Sequence, residues 1–195
     1  MPGHPNETTR EDAGRHDGTG HSNCGPTYRE VTHTPGLEPV APQWCHVTVL
    51  HSGPVEEVSD EEIRAITGRV RERCAEVRPF ELALDRPVVG NVALECPGRP
   101  GAPARRLWEI TARAGREVLG DRYPLLPAAY YPHLSVAYAG RQAAHADRTA
   151  LKALLSDIPA GPVSFHVDRL HLVAQSHDGR QITWRPVTTV LLGES

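Results

Sequence analysis

Two four-residue stretches stand out for the chemistry that their side chains could carry: His46-Val47-Thr48-Val49 and His133-Leu134-Ser135-Val136. In an extended chain, residues i and i+2 project from one face. His46 then stands beside Thr48, and His133 beside Ser135, while Val47, Val49, Leu134 and Val136 turn the other way to pack. An imidazole titrates near about 6.5, so small changes of surroundings suit it to act as general base or general acid at neutrality. Opening a cyclic phosphodiester needs one of each. A base takes the proton from water, and an acid protonates the departing ribose oxygen on the opposite side. The two hydroxyls can donate hydrogen bonds to the non-bridging phosphate oxygens and hold the reacting centre in line. The scheme calls for no metal and no cofactor.

Spacing alone does not carry this reading. With 11 histidines in the chain, about one His-x-[Ser/Thr] match is expected by chance. Context adds the weight: both matches lie in apolar, strand-like runs, and both are followed by a helix and two strands. Three further residues are candidates for contact with substrate. Tyr131 shares a face with His133 and Trp44 with His46, where either could stack on a base or simply pack. His51, just past the first motif, is expected at the cleft rim. His166 and His171 have no hydroxyl two residues on. His166 and Asp168 share a strand face, which reads as ordinary strand surface rather than as a metal pair.

The elements that must position these residues are legible from Trp44 onward. The run Trp44–His51 is β-branched and bounded by Pro and Gly, a strand signature. Ser59 followed by Glu62 is a capping box. Ile63, Ile66, Val70, Cys74 and Val77 then recur at helical spacing, up to Pro79. Strands are expected over 80–85 and 88–95, and a Gly/Pro connector over 97–103. A helix over 104–119 closed by Gly120 comes next. A strand over 131–138 and a helix over 147–156 follow. Strands over 163–174 and 181–192 are joined through Asp178-Gly179, a hairpin signal. Strand, helix, strand, strand thus occurs twice, each copy opening on a His-bearing strand. The expected fold class is α+β: two pseudo-symmetric lobes, each an antiparallel sheet with covering helices, around a central cleft.

Composition bounds the rest. The formal net charge is −3, and Lys152 is the one lysine among 21 Lys and Arg. A protein that grips long duplex nucleic acid would carry a basic excess, so the partner expected here is a small nucleotide or an RNA end. No run of about eighteen apolar residues and no charged-then-apolar start occurs, so a cytoplasmic chain without a membrane anchor is expected. Pro2, not Gly, follows the first Met, so no myristoylation signal is expected. Nothing points to a protein partner, and a monomer is expected. Cys24, Cys45, Cys74 and Cys96 show no paired spacing and read as reduced thiols. Residues 1–26 are too polar to bury surface and are expected to be a disordered tail. Residues 27–43 are an irregular lead-in with room for one short strand, and 44–195 form the two-lobed domain.

At these residues the chain resembles a known family. The HVTV and HLSV motifs are similar to the paired H-x-[ST]-x signature of the 2H phosphoesterase superfamily, in particular its bacterial 2'-5' RNA ligase-like members. The resemblance runs from about Leu37 to Leu192. It takes in Pro42-Gln-Trp-Cys-His46, the Pro79-Phe80 strand start, Tyr131-Pro132-His133 and the closing hairpin Leu170–Trp184. It implies two pseudo-symmetric lobes around a cleft, with His46 and His133 catalytic and Thr48 and Ser135 on the phosphate. The implied activity is a metal-independent phosphodiesterase on 2',3'-cyclic phosphates or 2'-5' linkages, reversible as a ligase. Ser135 stands where the family commonly has Thr, and the hydroxyl is kept. The family usually places a strand and a helix ahead of the first motif, which the polar N-terminal segment does not clearly supply. Two rival readings have different chemistry. One is a nucleotide- or RNA-binding module that uses the same cleft with little turnover. The other is a metalloenzyme, disfavoured because no His pair shows a recognised ligand spacing.

Overall fold

The computed structural model describes residues 28–51, 53–124, 127, 129–158 and 162–194. The expected disordered tail over 1–26, with Cys24, lies outside the described residues. The chain ahead of the first motif forms more than the sequence suggests: a one-turn helix α1 (Arg29–Thr32) and a short strand β1 (Leu37–Pro39). Helix α2 (Asp60–Cys74) starts on the expected capping box. Ser59 Oγ accepts from the Glu62 amide, and the Glu62 carboxylate accepts from the Ser59 amide. Helix α3 (Gly101–Leu119) ends on Gly120, whose φ of 60° favours glycine. Helix α4 (Arg148–Asp157) is capped by Asp147, which accepts from the amides of Thr149 and Ala150.

The remaining strands are β2 (Phe80–Leu84), β3 (Val88–Val89), β4 (Ala93–Arg99), β5 (His133–Ala139), β6 (Val163–Val167), β7 (Arg169–His177) and β8 (Ile182–Leu191). A six-stranded sheet has the order β1-β5-β4-β2-β6, with β3 also paired to β4. A second sheet is the hairpin β7-β8, and every pairing in both is antiparallel.

Three stretches differ from the sequence expectation. The run 88–95 is not one strand. A turn at Gly90-Asn91, closed by the Gly90 amide on the Ala93 carbonyl (2.9 Å), folds β3 back on β4. The run 163–174 breaks at Asp168, whose carbonyl accepts from the Leu192 amide (2.8 Å), so the chain leaves the large sheet there and enters the hairpin. The run Trp44–His51 is not laddered along its length. Pro42, which has no amide proton, opens a 3-10 turn over Pro42–Trp44, and the segment meets β5 at one bridge, Val47 to Leu134.

The helices cover the two sheets separately. Leu82, Leu84, Leu94, Cys96, Leu134 and Val136 from the large sheet pack against Val31 of α1 and Leu151 and Leu155 of α4. Val70 and Cys74 of α2 and Leu107, Ile110 and Ala114 of α3 pack against Val190 and Leu192 at the end of the hairpin. Phe80 and Val167 touch both cores. The fold is therefore the expected α+β arrangement of two helix-covered antiparallel sheets, with the strands divided six and two. Trp108 is half-buried. It stacks on Tyr130 (6.3 Å between centroids, 4° between planes) and donates its N–H to the Pro127 carbonyl. No helix among the described residues is long and apolar enough to cross a membrane.

Candidate active site

The bridge between Val47 and Leu134 sets the site. Both side chains enter the core under α1 and α4. Their sequence neighbours must therefore face the other way. In strand β5 the alternation is explicit: Leu134 and Val136 are buried, while His133 and Ser135 are half-buried on the opposite face. An antiparallel ladder continued through this bridge would set His46 beside Ser135 and Thr48 beside His133, with Cα atoms about 5 Å apart, and would put His46 and His133 on a diagonal of about 7–8 Å. Two imidazoles reaching inward over that span can flank one phosphate group, with a hydroxyl beside each.

The same backbone contact orients both rings. His46 Nδ1 lies 2.8 Å from the Trp44 carbonyl oxygen, and His133 Nδ1 lies 3.2 Å from the Tyr131 carbonyl oxygen. A carbonyl can only accept, so Nδ1 carries the proton and donates in each case. Nε2 is left to the cleft, as a base when the ring is neutral and as an acid when it is charged. The contact runs from residue i to i−2 in both motifs, a repeat of geometry across two segments that differ in sequence.

Aromatic rings brace each imidazole. The Trp184 ring, from β8, meets His46 edge-on at 4.8 Å and meets Trp44 at 5.0 Å. The Tyr131 ring lies 4.8 Å from His133, tilted by 34°. Tyr131 is 53% exposed, yet its hydroxyl donates to Glu95 Oε2 at 2.6 Å. That hydrogen bond to a carboxylate is the main reason the Tyr131 phenol is pushed up to about 12. His51 keeps an exposed edge, but loss of solvent around the ring, and next the charge of His46, hold its pKa below the ordinary imidazole value. His133 and Ser135 share one face of β5, Trp44 and His46 both meet Trp184, Tyr131 lies on His133, and His51 lies within the field of His46.

Two residues of this neighbourhood were not singled out from the sequence. Trp184 sits far along the chain, and no local spacing links it to His46. Glu95 carried a usable signal: it is the one charge in the apolar run Val92-Ala93-Leu94-Glu95-Cys96. A strand with Leu94 and Cys96 in the core must point Glu95 to the opposite face. Cys45, Cys74 and Cys96 form no disulfide among the described residues. Burial pushes the Cys74 thiol up to about 11, which suits packing rather than nucleophilic work. Among the described residues, no three His, Cys, Asp or Glu side chains converge as ligands for a metal ion.

Comparison with known proteins bears on this geometry. The sequence model of the 2'-5' RNA ligase superfamily matches residues 26–179. Among solved structures, TT0787 of Thermus thermophilus aligns with a TM-score of 0.64 at 20% identity, covering 86% of this chain and 90% of that one. E. coli LigT complexed with 3'-AMP aligns at 0.62 and 17%, covering 85% and 87%. A structure described as a phosphoesterase aligns at 0.61 and 18%, covering 85% and 87%. LigT has also been solved with NADP+, with phosphate and with ATP. At these identities the likeness speaks for the fold. No curated protein matches the chain.

Proposed function

The chain belongs to the 2'-5' RNA ligase superfamily, and from that premise we propose that it is a metal-independent phosphodiesterase acting on 2',3'-cyclic phosphate ends or 2'-5' linkages of RNA or nucleotides. The observation that supports the reading is the Val47–Leu134 bridge, since strand parity continued on either side of it would set both imidazole–hydroxyl pairs on one face. One histidine takes a proton from water through Nε2 as the water oxygen bonds to phosphorus. The bond from phosphorus to one ribose oxygen breaks, and the other histidine protonates that oxygen. The products are a phosphomonoester and a free hydroxyl, with the two rings left in exchanged protonation states. Thr48 and Ser135 donate to the non-bridging oxygens, whose charge grows in the transition state. With a ribose hydroxyl in place of water, the same pair serves ligation: the base takes the hydroxyl proton as its oxygen bonds to the phosphorus of a cyclic phosphate, the bond to the 3' oxygen breaks, the acid protonates that oxygen, and a 2'-5' diester forms. Nucleotides bound by E. coli LigT support a nucleotide or an RNA end as substrate.

The test is hydrolysis of 2',3'-cyclic nucleotides and 2'-5' dinucleotides in EDTA by the wild type, His46→Ala and His133→Ala. Each variant is expected to lose at least about a hundredfold in kcat, the scale of one general acid or base. Turnover that survives in both variants, or that requires an added divalent ion, sinks the reading. Nucleotide binding without turnover in the wild type would make the protein a binding module that uses the same cleft.

A further inference from the structure

Glu95 is a carboxylate on the cleft face of β4, only 9% exposed, in a site built for an anion. Its Cα pairs directly with that of Ser135. Leu94 and Cys96 on either side point into the core, so the Glu95 side chain shares the face of Ser135 and His133. Two features hold it there. Tyr131 donates to Oε2, and Gly90 makes room for Oε1, since a Cβ at position 90 would collide with that oxygen. Among the described residues, no cation forms an ion pair with it. A buried charge without a counter-charge costs stability, and the contact to a neutral phenol offsets that cost only in part.

We infer that Glu95 is a specificity residue that selects singly charged phosphodiesters over doubly charged phosphomonoesters by repulsion. The inference rests on the reading that Ser135 donates to the substrate phosphate. With adjacent strands about 5 Å apart, a phosphate on the Ser135 hydroxyl lies about 7 Å from the carboxylate. A cyclic phosphate or an internal diester carries one negative charge. The monoester left by hydrolysis carries nearly two at neutral pH. At that distance and an effective dielectric of about 35, between the value near a protein surface and that of bulk water, the second charge weakens binding about tenfold. Glu95 then helps to expel the product and keeps phosphomonoesters from occupying the cleft.

The test holds the nucleoside fixed and changes only the charge. Dissociation constants for 3'-AMP and for adenosine 3'-(methyl phosphate) are measured by calorimetry at pH 7.5 with the wild type, Glu95→Gln and Glu95→Ala. The ratio of monoester to diester constants is expected to fall about tenfold in Glu95→Gln, and to fall likewise in Glu95→Ala. An unchanged ratio in Glu95→Gln overturns the inference, even if Glu95→Ala shifts, because contact rather than charge would then be the cause. Should Glu95→Gln fail to fold, a fall in Glu95→Ala supports the inference and an unchanged ratio overturns it. Binding needs no turnover, so a wild type that discriminates without hydrolysing refutes the proposed catalysis and leaves the inference standing. A wild type that binds neither ligand overturns both.

Discussion

Which ring nitrogen can work is decided by a backbone atom. With Nδ1 of His46 and His133 spent on the carbonyls of Trp44 and Tyr131, each ring has only Nε2 to offer, and the chemistry depends on what lies within its reach. The hydroxyls beside them are the next most sensitive atoms. Ser135→Ala is expected to lower kcat/KM for a cyclic nucleotide by about a hundredfold, the scale of one lost donor to a developing oxyanion, whereas Ser135→Thr, which keeps the oxygen, should retain most of it. Steady-state kinetics on the two variants checks this. His51 makes a different prediction. Its folded pKa lies below the ordinary value near about 6.5, so folding favours the neutral ring. The stability this contributes is complete above the unfolded pKa and is lost as pH falls below it toward the folded one. His51→Gln should therefore flatten the decline of Tm between about pH 6.5 and 5, measured by thermal unfolding at a series of pH values.

At the scale of elements, patterns that close within a few residues were readable and those completed by distant chain were not. The capping box at Ser59 and the glycine end of α3 each involve neighbours in sequence, and both form where the sequence places them. The break at Asp168 depends on Leu192, and the loss of ladder along Trp44–His51 depends on how β1 leaves β5. Neither has a local signature. The candidate site follows the same rule. The His133–Ser135 pair is legible because strand parity is local, while Trp184 reaches His46 only through the folded hairpin. A local device should also fail locally. Ser59→Ala removes the cap from α2 and should cost about 1 kcal/mol, lowering Tm by about 2–4 °C for a chain of this size, with the nucleotide affinity of the cleft little changed.

The whole molecule is joined where its two cores meet. Phe80 and Val167 pack against both the sheet core and the helix-hairpin core. Val47 belongs to the first and Val49 to the second, so the segment that carries His46 and Thr48 straddles them. Packing shared in this way couples the two halves. A single unfolding transition is expected, with calorimetric and van't Hoff enthalpies in agreement. Phe80→Ala should lower the stability of both cores together, by about 2 kcal/mol, and two resolved transitions in the wild type would show that the halves melt independently.

The chain leaves β5 after Val40, whose amide still reaches the Val136 carbonyl, and returns to it at Val47. That detour divides the approach to the site into a permissive part and a rigid one. Extra residues between Val40 and Pro42 lengthen only a turn, because Val47 stays anchored in the core and the ring of His46 stays tied to Trp44. From Trp44 onward no such slack exists. One residue added between Trp44 and His46 would pull the ring off its carbonyl, and one added between His46 and Thr48 would reverse the parity that keeps both on the cleft face. Relatives are therefore free to differ in length ahead of Trp44, while the count from Trp44 to Thr48 is held by geometry.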